Sequence, residues 1–123
     1  MVDNWLMEQL QRTSFKLHSP TAREIVLEFD QPWEGSVSNY VGVMKDGDLY
    51  RMWYRALNEE EDGRYTAYAE SDDGIVWTRP VLGLVEAKGS TENNIVLDGT
   101  DAWNLSVFKD TNPAANDTER YKA

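Results

Sequence analysis

Carboxylates carry most of the chemistry that this sequence offers. It has 22 acidic residues against 12 basic ones, a single histidine and no cysteine, so a thiol nucleophile and a cysteine-based metal site are both excluded. His18 has no second His or Cys to share a transition metal and no nucleophile near it in sequence; before the turn-forming Ser19-Pro20 it reads as a surface residue. The acidic run 58–62 lacks the alternating oxygen-ligand spacing of a calcium loop and reads as a solvated hairpin tip. Two carboxylates remain in positions that invite attention. Glu34 lies in Pro32-Trp33-Glu34-Gly35, just ahead of the first strongly patterned strand. Asp110 lies in Val107-Phe108-Lys109-Asp110-Thr111-Asn112-Pro113, where Asp110 and Asn112 also fit a plain Asx turn before proline. A pair of positioned carboxylates is the usual equipment for general acid–base work. Trp33, Trp53, Tyr54 and Trp103 add aromatic faces of the kind that cover the C–H face of a sugar, although aromatics at strand spacing are more often core.

The elements that must position these groups centre on residues 40–78. Tyr40–Met44 and Leu49–Leu57 flank Lys45-Asp46-Gly47-Asp48, whose Asp-Gly pair tolerates the positive φ of a tight hairpin turn. On the second strand Tyr50, Met52 and Tyr54 alternate with Leu49, Arg51, Trp53 and Arg55, so both faces carry large apolar surface, as in a stacked sheet. A third strand follows the 58–63 loop, with Tyr65, Ala67 and Ala69 alternating with Thr66, Tyr68 and Glu70. Ser71-Asp72-Asp73-Gly74 is a second turn, and Ile75–Thr78 is expected as a short fourth strand ended by Pro80. Upstream, Ser14–Leu17 and Glu24–Phe29 read as short strands around a turn at 18–20, and residues 3–10 as a helix or an extended segment.

Four short antiparallel strands with two apolar faces describe one blade of a β-propeller, and a flat meander in a β-sandwich is the competing architecture. The composition, 41% hydrophobic and 11% aromatic, is that of a folded chain. At 123 residues it is too short for a propeller, since each four-stranded blade takes about 40 to 50 residues. The expectation is therefore the N-terminal piece of a longer protein: 1–32 an approach segment, 33–100 blade 1 with its outer connection, and 101–123 the start of blade 2. The net charge of −10 argues against nucleic acid and against an anionic membrane surface as partners. No apolar run has the length of a transmembrane helix, and the N-terminus lacks the basic, apolar, small-residue order of a secretory leader.

The stretch AESDDGIVWTRPVLGLVE (69–86), followed by NNIVL (93–97), resembles the outer-strand region of the five-bladed propeller glycoside hydrolases, the superfamily of fructan- and sucrose-cleaving, arabinan- and xylan-cleaving and mannoside-phosphorolysing enzymes. Ser71, Asp73, Gly74 and Trp77 also resemble a loose Asp-box turn of sialidase propellers, whose role is structural. The resemblance implies an all-β fold, a partial five-bladed propeller with about one complete blade and the start of a second. It implies hydrolysis or phosphorolysis of glycosidic bonds by paired carboxylates, without cofactor or metal, on a carbohydrate substrate, in company with the remaining blades of the full-length chain. A non-catalytic carbohydrate-binding or interaction propeller is the alternative. Carried over residue by residue, Glu34 stands where the fructan-cleaving members place an acidic nucleophile before the first inner strand, although Trp-Glu-Gly departs from the Asn-Asp-Pro-Asn-Gly-like motif. Asp110 stands where an Arg-Asp-Pro-like stretch supplies a transition-state stabiliser, with Lys109 in the place of Arg and Thr111-Asn112 intervening before Pro113. The expectation is that both acids project toward one axial funnel, with Trp33, Trp53 and Trp103 as substrate-binding aromatics. The general acid of the superfamily comes from a later blade, so the chain by itself is expected to be inactive.

Overall fold

A computed structural model of the chain describes residues 11–57 and 63–123. The expectations for residues 3–10 and for the acidic run 58–62 lie outside the described residues. The fold is all-β, with antiparallel pairing throughout. A four-stranded sheet of order β1-β2-β3-β4 is formed by β1 (Asn39–Asp46), β2 (Leu49–Leu57), β3 (Arg64–Ser71) and β4 (Ile95–Asp98). A separate two-stranded hairpin pairs β5 (Phe108–Lys109) with β6 (Tyr121–Lys122).

The β1–β2 turn falls on Gly47, at φ +64°, which a glycine adopts without the clash a Cβ would bring. The pairing that leads away from it is regular from Asp46↔Leu49 to Gly42↔Trp53. It then slips at a bulge between Asn39 and Gly42, where Tyr40 has φ +52°. Between β2 and β3 the register is unbroken from Tyr50↔Ser71 to Leu57↔Arg64. The second turn is held by one carboxylate. Asp73 Oδ1 accepts from the Ile75 and Val76 amides at 2.8 Å each and from Ser71 Oγ at 3.0 Å, and Gly74, at φ +78°, accepts at its carbonyl from Trp77 Nε1 at 3.1 Å.

The fourth strand is not where the alternation of Ile75–Thr78 places it. Only Thr78 reaches the edge of β3, in a single bridge to Glu70 with both amide bonds made (2.9 and 2.8 Å). Pro80 has no N–H to continue the ladder, and the chain makes an excursion over 79–93. It returns at Asn94, whose carbonyl accepts from Tyr68 N at 2.9 Å, and β4 then occupies the rest of the same edge, opposite Ala67 to Tyr65. The edge of β3 is thus covered by one interrupted strand. The upstream segment also differs from expectation: 14–17 and 24–29 form no strand. The alternation is kept, with Leu27 and Phe29 half-buried between exposed neighbours, but these side chains lie on a sheet face rather than in a ladder.

That face is the core. Met52, Tyr54 and Ala56 of β2 and Ala67 and Ala69 of β3 are buried there, and Leu27, Phe29, Trp33, Tyr65 and Trp77 pack against them. The alanines, all at 0% exposure, leave room for the large rings to approach. Phe29 and Tyr54 meet with ring centroids 4.8 Å apart, a contact worth about 0.5–1.5 kcal/mol beyond area burial. The opposite face carries Arg51, Trp53 and Arg55 of β2 with Thr66, Tyr68 and Glu70 of β3, and is only partly covered.

Candidate functional site

Glu34 sits in a tight turn, its amide donating to Gln31 O at 2.9 Å, five residues before β1 begins at Asn39. The turn tips its side chain inward onto the core face. Its carboxylate accepts from Tyr54 Oη at 2.5 Å and Arg79 Nε at 3.1 Å on Oε1, and from Gln31 N and Arg79 Nη2, both at 3.0 Å, on Oε2. The side chain has no exposed surface, while that of Arg79 retains 20%. Arg79 also donates to the Glu28 carbonyl and lies 3.5 Å from Asp30. Burial and the adjacent Glu34 charge push the Tyr54 phenol well above the usual tyrosine range, so Tyr54 stays a donor. Burial works against the charged form of Arg79, but its bonds to Tyr54 and Glu34 outweigh it and raise its pKa.

The network continues inward. Asn94 Nδ2 donates to Tyr54 Oη at 2.9 Å and to Tyr68 O at 2.6 Å, and Asn94 Oδ1 accepts from Trp33 Nε1 at 2.9 Å. Trp33 and Glu34, adjacent in sequence, are therefore both tied to the sheet through Tyr54 and Asn94. A buried polar cluster of this kind is stable because every member is satisfied. Sequence reasoning singled out Trp33, Glu34 and Tyr54 but missed Arg79 and Asn94. Arg79 had one signal, an isolated cation just before a proline in a strongly apolar stretch.

Asp110 is placed elsewhere. Its Oδ1 accepts from the Asn112 amide at 2.8 Å, the Asx turn that its sequence also allowed, and its Oδ2 pairs with Lys122 Nζ at 2.5 Å. Both bonds hold its pKa below the ordinary aspartate value, the Lys122 bond most. The hairpin that carries it docks through Asp46, which accepts from Lys109 Nζ, Tyr121 Oη and Arg51 Nε. These bonds, that of Lys109 first, hold the Asp46 carboxyl at about 2. Arg51, three positions from Tyr54 on the same strand, projects to the opposite face, and its guanidinium lies 5.9 Å from the Tyr121 ring. Glu34 and Asp110 thus belong to opposite faces of the sheet, and the structure does not bring the two carboxylates together.

The remaining aromatics share the face of Arg51. Trp53 is half-buried, 5.5 Å from Tyr68, and Trp103 is half-buried beneath Arg64 and Arg55, at 4.3 and 5.7 Å. Of the three tryptophans expected to bind substrate, only Trp33 touches the Glu34 cluster, and it does so as a core residue. Among the described residues no three His, Asp or Glu side chains converge in a way that could hold a metal. Comparison with protein-family models, with curated proteins and with solved structures finds nothing that matches this chain.

Proposed function

We propose that this chain is the first blade, and the beginning of the second, of a five-bladed β-propeller of the glycoside hydrolase type, with carbohydrate as its ligand. The observation that carries the reading is a consecutive antiparallel sheet with apolar groups left open on its first strand. Val43 lies on the face of Met52 yet is 54% exposed, and Val41 beside it is 48% exposed. A sheet stacked radially between neighbours covers such residues on both sides. Asp110, partly exposed and held in a turn, is the acid of the pair still able to meet a ligand.

A specific observation favours the second reading, a propeller that binds carbohydrate without cleaving it. A nucleophile has to reach an anomeric carbon, and the fully covered side chain of Glu34 reaches only its protein partners. Hydrolysis of a panel of aryl glycosides and oligosaccharides by the full-length protein, with calorimetric binding measured in parallel, separates the two. Turnover that falls by several orders of magnitude in D110N, with the fold intact, supports the hydrolase. Binding without turnover supports the second reading, and neither binding nor turnover on any glycan removes both.

A further inference from the structure

The partly covered face of the sheet holds a second cluster, away from Glu34, built on Arg55. Its guanidinium lies 4.8 Å from the Tyr40 ring and 5.7 Å from the Trp103 ring, with Arg64 on Trp103 at 4.3 Å. Trp103 is fixed in place, since it closes the 3₁₀ turn Thr100–Ala102 and that turn is pinned to β3 by Thr66 Oγ1 donating to Ala102 O at 2.7 Å. Tyr40 is aimed by the bulge of β1, where its φ of +52° is a conformation rarely adopted by a residue with a side chain. Strain of this kind persists where surrounding structure imposes it, and it gathers at binding sites. The ring itself is 60% exposed.

The cluster is also incomplete. Arg55 Nη2 donates to Val37 O at 3.3 Å, while its Nε is buried and, among the described residues, meets no acceptor. A buried N–H without an acceptor has lost its water and gained nothing in return, and a ligand that supplies the acceptor recovers that loss. Nε and a terminal nitrogen of arginine form a fork that matches a carboxylate, and an aromatic wall beside that fork matches the C–H face of a pyranose.

We infer that Tyr40, Arg55 and Trp103 form a binding subsite for a carboxylate-bearing sugar, a uronic acid residue of an acidic glycan. The inference rests on the carbohydrate reading above and specifies its ligand class. The carboxylate meets Arg55 Nε as the exposed Tyr40 ring turns off the guanidinium and onto the sugar ring, while Trp103 backs Arg55 as its other ring contact.

Isothermal titration of the protein with oligogalacturonate, its methyl ester, a neutral galacto-oligosaccharide and inorganic phosphate tests this. The acid form is expected to bind about tenfold or more tightly than the ester, the neutral sugar or phosphate, as one charge-assisted bond requires. Arg55→Lys, which keeps the charge and loses the fork, is expected to lose most of that preference with an unchanged circular dichroism spectrum. Equal binding of acid and ester, or phosphate binding as well as uronate, overturns the inference and leaves the carbohydrate reading standing. No binding of any of these ligands overturns the inference, and the glycan panel described above decides the carbohydrate reading separately. The ester comparison uses the unaltered protein, so the test survives a variant that fails to fold.

Discussion

Replacing Arg79 by Met tests whether the Glu34 cluster is a structural anchor. The substitution keeps most of the side-chain length and removes the cation, leaving a carboxylate with no exposed surface and only Tyr54 Oη and Gln31 N as donors. Breaking a buried pair from one side in this way costs about 3–5 kcal/mol, because the remaining charge stays uncompensated. That is a large part of the 5–15 kcal/mol typical of a whole domain, and on the order of 10–20 °C in Tm for a chain of this size. Glu34→Gln makes an instructive contrast. It leaves a neutral amide in the buried place, and the cation that loses its partner is the more exposed one, still bonded to Glu28 O and beside Asp30. Its cost is expected at about 1–3 kcal/mol, the range for unmet buried hydrogen bonds. Urea unfolding followed by tryptophan fluorescence should therefore rank R79M well below E34Q, with the E34Q/R79M double variant less destabilised than R79M alone. Equal losses for the two single variants, or an R79M loss within about 0.5 kcal/mol of zero, the range of ordinary surface substitutions, would refute the anchor.

Three more expectations follow from the same contacts. Asp46 titrates at about 2 in the folded chain against an ordinary 3.8, so its contribution is fully present above about pH 4 and is lost as pH falls toward 2; carboxyl NMR of Asp46, together with amide exchange in Phe108–Lys122, should show the hairpin loosening in that window and not above it. Gly74→Ala forces a side chain into φ +78° and should cost about 1–2 kcal/mol, read as a lower Tm, while Gly42→Ala, whose added Cβ meets only one atom at 4.0 Å, should cost less. Ala67→Leu puts three heavy atoms under the covering rings and should cost about 1–3 kcal/mol by overpacking, measured by thermal unfolding.

Local signals were the legible part of this fold. Asp46-Gly47 and Asp73-Gly74 mark their turns because positive φ is a property of the residue itself, and the alternation of Leu49–Leu57 and of Tyr65–Glu70 assigns β2, β3 and their two faces. What remained hidden depends on pairing at a distance. Ile75–Thr78 and Ile95–Asp98 are both apolar and β-branched, and only the missing N–H of Pro80 and the return at Asn94 decide which takes the edge of β3. Glu24–Phe29 has a strand pattern, yet a period of two says only that one side is buried, not whether the backbone is laddered. Glu34 could be flagged as a carboxylate near a strand start, but not Arg79 as its partner, because 45 positions separate them. A rotation between blades would bring Asp110 to Glu34, whereas Lys109 and Tyr121 dock its hairpin on the other face through Asp46.

The span of the Arg79 clamp bears on the order in which this chain folds. The β1–β2 and β2–β3 pairings join neighbouring segments, whereas Arg79 must find Glu34 and Glu28 across 45 and 51 positions. Closing longer loops costs more entropy before any contact rewards it, so the two hairpins are expected to assemble first, with the clamp closing over a sheet already formed. Contacts made after the transition state leave the folding rate nearly unchanged and act on the rate of unfolding. On that order of events the clamp is a brake on escape from the native state: it lengthens the time each molecule stays folded, and makes rarer the moments at which the open form is offered to a protease or to another unpaired sheet edge.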